Sequence, residues 1–297
     1  MPRPREPPEL VGCVFRARDV VHDSLLTHDA LRSQAWRRLY RGVYADADLP
    51  DSLDVRIRGA RLISPSTAVF SGRTAAHLHG APELADRRGL PVEVTVPAGV
   101  RFGPVRGLQV RRVDLPVSDV ARVGEWRCTT GLRTALDIAR WDPLPDAVAA
   151  LDLLLARGVV AEVALREPAA SRDGRGSRQA RRAVELSDAR AESQPESRLR
   201  VILTLAGLPP VPQCVVRGQG GEFLARVDLG YPELRVAVEY DGAWHAGNGQ
   251  FVRDRRRLNL LTAAGWAVLH VTSADLRDTA LLVERVRALL RRATTGK

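Results

Sequence analysis

Three acidic residues stand close together in the last third of the chain: Asp228 in FLARVDLG, and Glu239 and Asp241 in RVAVEYDGAWH. The stretch reads as two strands, residues 222–229 and 235–240, joined by a turn at Tyr231-Pro232-Glu233-Leu234. Side chains alternate along a strand, so Glu239 and Asp241 share a face. A turn centred between Pro232 and Glu233 sets Asp228 opposite Ala237, which makes Asp228 and Glu239 diagonal neighbours on that face. A slip of one residue would send the two sets to opposite faces. An apolar strand such as VAVEY has no structural use for a carboxylate, because burying one without a partner is costly. A divalent cation with oxygen ligands does need such a cluster.

The elements that must hold these residues follow in a clear order. A helix over residues 195–206 is stopped by Gly207 and the Pro209-Pro210 pair. Strands are expected at 213–217, 222–229 and 235–240, a helix at 250–264, a strand at 267–272 and a helix at 279–292. This αβββαβα order belongs to the α/β (α+β) class, as a sandwich around a short mixed sheet. Gln250, Asp254 and Arg257 fall on one face of the helix at 250–264. Arg253, Arg255 and Arg256 flank that face and are candidate phosphate contacts, with a solvated face as the alternative.

Upstream, RARDVVHDSLL and HDALRSQAWRRL read as helices, the second capped by Thr27, and RGVYAD reads as a strand. Two short helices followed by a basic wing suggest a winged-helix-like DNA-binding module over residues 1–50. Arg32, Arg37, Arg38 and Arg41 are its candidate phosphate contacts. Helices and strands alternate in a mixed α/β region over residues 51–165. His77 and His79 are two apart on a helix, so they point to different faces and serve packing or capping rather than a shared metal. Residues 166–194, rich in Gly, Ser, Ala and Arg, read as a linker with one short helix around residues 181–186, before a last domain at 195–297.

Composition narrows the partners. No run approaches the eighteen or so uncharged apolar residues of a membrane span, so no membrane partner is expected. The start, MPRPREPPELVG, lacks the apolar core of a secretory signal, which implies a cytoplasmic protein. Cys13, Cys128 and Cys214 are too scattered for a disulfide framework or a zinc cluster. The net charge is +10, and Lys297 is the single lysine. Coding bias accounts for arginine in place of lysine, but less well for the excess of positive charge. A nucleic-acid partner does account for it.

With an acidic residue in its first helix, an Asp on the second strand and E-x-D on the third, the αβββαβα segment resembles the PD-(D/E)XK nuclease superfamily. Within it, the segment is similar to the family related to very-short-patch-repair endonucleases. The matching pieces are ESRLR (196–200), GLP (207–209), VDLGYPELRVAVEYDGAWH (227–245), DRRR (254–257) and GWAVLHVT (265–272). The N-terminal half is similar to the AbiEi-type antitoxins of abortive-infection systems, through RGVYAD, SGRTAAHLHG and GLRTALDIAR.

The first resemblance implies hydrolysis of phosphodiester bonds with Mg²⁺ or Mn²⁺. Asp228 and Glu239 would hold the cation, with Glu196 reaching in from the first helix. For Glu196 the alternative is a role at the helix terminus. The superfamily usually carries a lysine where this chain has Asp241. Asp241 is then a third strand ligand, or a turn residue before Gly242. His245 would orient or deprotonate the attacking water. Arg257 would stand in for the lysine as a charge on the transition state, though not as a base, because arginine stays protonated. The expected function is a DNA endonuclease in phage defence or DNA repair. The alternative is a non-catalytic, antitoxin-like DNA-binding regulator with a degenerate nuclease fold. Either reading leaves room for a toxin or other defence-system partner.

Overall fold

Aromatic residues decide how the chain begins. A computed structural model describes residues 7–85, 89–171, 174–242 and 248–295, and places them in two units, Met1–Asp137 and Ile138–Lys297. In the first, β1 (Val14–Arg16), β2 (Trp36–Tyr40) and β3 (Val43–Asp46) form an antiparallel sheet in the order β1-β3-β2, with a short α1 (Ala17–His22). The helix expected over HDALRSQAWRRL is absent. In its place are a 3₁₀ turn, Ala30–Arg32, and the strand β2. Thr27 still caps the turn, its hydroxyl accepting the Ala30 N–H at 3.2 Å. Trp36 packs edge-on to Phe15 with ring centroids 5.1 Å apart. Gly42, at φ +74°, allows the tight link from β2 to β3. These long-range contacts outweigh the helix preference of Ala, Leu and Arg. The second helix of the expected winged-helix module is therefore missing.

The expected domain boundary near residue 50 also disappears. α2 (Leu53–Ile63) starts where Ser52 Oγ accepts the Val55 N–H at 3.3 Å. Its Leu53, Ile57 and Ala60 share one core with Tyr40 and Val43. That core continues into β4 (Val69–Phe70), α3 (Gly72–Leu78), β5 (Val92–Val96), β6 (Leu108–Arg112), β7 (Val120–Val123) and β8 (Trp126–Thr129). The strands form a mixed sheet in the order β6-β5-β4-β8-β7. His77 contacts Asp54 at 2.8 Å and His79 contacts the Thr129 carbonyl at 2.7 Å, separate partners as their spacing implies. The division between units falls inside α4 (Gly131–Trp141).

The second unit opens with α5 (Leu144–Ala156), α6 (Glu162–Ser171) and α7 (Ser177–Leu186). The last two occupy the segment expected to be a linker. Its Ala and Arg residues favour helix. Ala180, Ala183 and Val184 give α7 a buried stripe, while Gly174 and Gly176 lie just before its start. α8 (Gln194–Leu205) is tied to α5 by the buried pair Arg200 Nη2–Asp152 Oδ2 at 2.8 Å.

The expected αβββαβα order then appears in full: α8, β9 (Val211–Arg217), β10 (Phe223–Tyr231), β11 (Val236–Tyr240), α9 (Asn248–Ala263), β12 (Ala267–Val271) and α10 (Thr279–Thr295). The sheet order is β12-β11-β10-β9, with β11 and β12 parallel and the remaining pairs antiparallel. Leu199 and Leu203 of α8, with Leu282, Val286 and Leu290 of α10, cluster with Val236, Val238 and Val271. Leu261 of α9 packs with Ala237, Val227 and Cys214. Among the described residues no helix is long and apolar enough to cross a membrane.

The β10–β11 turn is centred one residue later than expected. Pro232–Leu234 form a 3₁₀ turn closed by Arg235 at φ +50°, and Leu229 pairs with Val238, Gly230 with Ala237 and Tyr231 with Val236. Continuing that register sets Asp228 opposite Glu239 rather than Ala237. The partner moves by two residues, so the side-chain parity survives. Gly230 is needed where β9 passes: a Cβ there would lie 2.5 Å from Cys214 Cβ. Gly230→Ala is expected to cost about 1–3 kcal/mol by overpacking. The urea midpoint would fall at unchanged slope, and an unmoved midpoint would contradict the close approach.

Candidate functional site

Glu239 lies within β11 at 4% exposure, and both its oxygens are taken by one guanidinium. Arg257 Nη1 donates to Oε1 at 2.7 Å and Nη2 to Oε2 at 2.9 Å. The same Nη1 also donates to the Arg226 carbonyl at 3.2 Å. A two-pronged bond of this kind is among the stronger polar contacts in proteins. α9 makes it possible: Leu261, one turn further along the helix, is buried against the sheet and so holds Arg257 over β11.

Asp228 sits where β10 and β11 part. The ladder runs from Tyr231↔Val236 to Leu229↔Val238. Beyond it, Asp228 Oδ2 accepts the Tyr240 N–H at 2.9 Å, doing the work of a strand carbonyl. Glu196 comes from the first turn of α8 and belongs to a capping box. Ser193 Oγ accepts the Glu196 N–H at 3.3 Å and donates to Glu196 Oε1 at 2.8 Å. Glu196 Oε2 accepts from the Glu192 N–H at 3.3 Å and from Gln213 Nε2 at 3.1 Å. Glu196 thus fills the helix-terminus role, and its contact on β9, Gln213, lies across from Asp228 in the β9–β10 ladder.

Asp241 points elsewhere. It follows β11 with its side chain largely exposed, and its Oδ2 lies 3.2 Å from His270 Nδ1 on β12. His270 stands beside Glu239 in the parallel ladder. The sequence reading passed over His270 and Gln213. The only signals were a polar residue inside the apolar run of GWAVLHVT and another at the start of β9.

The electrostatics are those of a site short of positive charge. Burial is the first cause raising the pKa of Glu196, Asp228 and Glu239 above the ordinary carboxylate range. The charge on Asp228 raises Glu196 and Glu239 further, and Glu192 and Asp241 raise Asp228. Arg257 opposes the rise at both Asp228 and Glu239, and the Tyr240 N–H opposes it at Asp228.

Carboxylate oxygens are the right donors for a hard divalent cation. Among the described residues, however, no three His, Cys, Asp or Glu side chains are grouped to hold one. Glu239 is closed by Arg257 and Asp241 is turned to His270. The donor set fits the chemistry, and Glu239 would have to leave Arg257 to take part.

The expected phosphate contacts divide. Arg255 and Arg256 are exposed on α9, whereas the side chain of Arg253, on the same helix, lies outside the described set, as does His245. Arg38 and Arg41 are exposed at the β2–β3 hairpin. Arg37 is bound to the Leu49 and Pro50 carbonyls at 3.1 Å each, and Arg32 lies 3.7 Å from Asp29.

Raised carboxylates have a definite sign. A group that binds its proton more tightly when folded destabilises the fold above its folded pKa, and the loss is relieved as pH falls through that value. Asp228→Asn keeps an acceptor for the Tyr240 N–H and removes the charge. It is expected to raise the melting temperature at pH 7 by about 2–4 °C, as ~1 kcal/mol does in a chain of this kind. The gap to wild type should close on acidification towards the ordinary carboxylate range. A variant less stable at pH 7 would contradict the charge balance.

No protein-family model matches the chain. Two Mycobacterium tuberculosis proteins, described as uncharacterized protein MT2308 (strain CDC 1551 / Oshkosh) and uncharacterized protein Rv2248 (strain H37Rv), are each 34% identical over 261 residues. Each match covers 86% of this chain and 93% of the relative. Among solved structures, the crystal structure of the RV2827C protein from Mycobacterium tuberculosis aligns over 58% of this chain and 71% of its own, at 15% identity and a TM-score of 0.42. At that identity and coverage, the chain belongs to the same family as MT2308 and Rv2248.

Proposed function

We propose that the second unit is a metal-dependent DNA endonuclease. The observation that supports this most is the meeting of two carboxylates on adjacent strands: the register carries Asp228 opposite Glu239, and Asp228 accepts the neighbouring Tyr240 N–H at 2.9 Å where the β10–β11 ladder opens. Burial raises the pKa of both, and of Glu196 as well. Structural needs alone do not call for a second carboxylate beside the buried Glu239, whose charge Arg257 already balances. Asp228 and Glu239 would hold Mg²⁺ or Mn²⁺, with Glu196 beside them and Asp241 at the margin. The bound cation would supply an activated water and neutralise charge on the phosphate. Arg257 holds Glu239 through both Nη atoms, and on releasing it to a cation would present the same fork of N–H donors to a phosphate. It therefore fits the role of the lysine that Asp241 displaces. Exposed Arg38, Arg41, Arg255 and Arg256 would contribute to DNA affinity, and phage defence or repair is the setting this chemistry suits.

One observation favours a second reading. Both oxygens of Glu239 are already satisfied by Arg257, as they would be in a nuclease fold kept for DNA binding alone. Such a regulator would bind DNA without a cation, with affinity falling steeply as salt rises.

Supercoiled plasmid with Mg²⁺ or Mn²⁺ separates the two. The endonuclease should nick it, with activity lost in Asp228→Ala and Glu239→Ala while gel-shift affinity persists. Binding with no nicking under either cation would move the assignment to the regulator, and nicking that survives in both variants would place the chemistry elsewhere.

A further inference from the structure

Gln213 departs from strand geometry in both its backbone and its side-chain role. Its φ is +49°. Ser24 and Arg235, the other non-glycine residues with positive φ among the described residues, follow a helix and close a turn. Gln213 instead lies inside β9, between the ladder pairs Leu229↔Pro212 and Val227↔Cys214. A left-handed backbone at a residue with a Cβ is strained, and such strain persists only where the surroundings enforce it. Here it accompanies the Gln213 side-chain amide reaching Glu196, with Nε2 donating to Oε2 at 3.1 Å. The other hydrogen bonds to that carboxylate come from Ser193 and Glu192, beside it at the cap of α8. Gln213 is the contact from the sheet.

We infer that Gln213 is a positioning residue: the β9–β10 register sets it across from Asp228, and its amide fixes the Glu196 carboxylate at that point of the sheet. The inference rests on the endonuclease reading, because what is positioned is an oxygen donor for the cation. The residue type suits the task. An arginine or lysine at 213 would neutralise Glu196 and compete with a cation, whereas a neutral amide holds the carboxylate in place and leaves its charge available. The strain also has a direction, since glycine would accept this backbone at no steric cost.

The test is therefore Gln213→Gly, which relieves the backbone and deletes the amide, beside Gln213→Glu, which keeps the shape but sets a second carboxylate against Glu196. Melting temperature and the Mg²⁺ dependence of plasmid nicking are measured for both and for wild type. The expected result is a Gly variant at least as stable as wild type, with nicking reduced about 10- to 100-fold. Its Mg²⁺ requirement should move to higher concentration, and the Glu variant should be impaired as well. Unchanged nicking in Gln213→Gly would overturn the inference, and so would a fall in stability that accounts for the lost activity. If wild type does not nick at all, the endonuclease reading fails separately. The Gln213–Glu196 contact is then read from melting temperatures alone, by adding Gln213→Gly to Glu196→Ala. Equal effects of Gln213→Gly in both backgrounds would overturn it.

Discussion

A carboxylate in the middle of a buried strand is the constraint on which the second unit depends. Left alone, Glu239 would cost several kcal/mol. Its two bonds from Arg257 offset part of that cost, and they dictate much around them. α9 must lie across the sheet so that Leu261 packs and Arg257 overhangs β11. The opening of the β10–β11 ladder at Asp228 follows from the same crowding of charge, because the Asp228 carboxylate bonds the Tyr240 N–H beyond the last strand pair. Few folds accept a like charge so close to a buried one without a purpose beyond stability.

The site divides its supports into two kinds. Glu196 is held by neutral donors, the Ser193 hydroxyl, the Glu192 N–H and the Gln213 amide, and Asp228 by the Tyr240 N–H. These fix oxygen positions and leave the negative charge largely in place. Among the described residues, Arg257 brings full charge to Glu239. That imbalance, with burial pushing three carboxylates upward, is the feature on which the two proposed readings divide. Deciding between them turns on whether Glu239 can exchange Arg257 for a metal.

How far the sequence could be read depended on whether local or distant contacts set each element. The αβββαβα order was legible because each element carried its own period and stop signal, down to Gly207 and the prolines after α8. The stripe Leu282, Val286, Leu290 on α10 is such a period. The register missed by one residue at the turn, since nothing in YPEL says that Arg235 will adopt a left-handed backbone. Yet the partner moved by two, so Asp228 still met Glu239. Residues 28–39 were misread for the opposite reason: their helix preference is real, but Trp36 and Tyr40 are claimed by Phe15 and Ile57, distant in sequence. The short helix expected within the linker is longer than its apolar residues suggest, because Ala and Arg extend it to Ser177–Leu186. Within the site, Asp228 and Glu239 could be picked from residue type and spacing, and Arg257 through the family resemblance that implies a cation there. Gln213 and His270 could not, because each gains its role only from strand geometry.

The most direct measurement of the central claim is calorimetric titration of Mn²⁺ into wild type and Asp228→Asn at neutral pH. A saturable site in wild type that is lost in the variant is the result expected if these carboxylates are built to receive a divalent cation. No saturable binding in wild type, or equal binding in both, would contradict it and leave the cluster as a charge network that Arg257 alone completes.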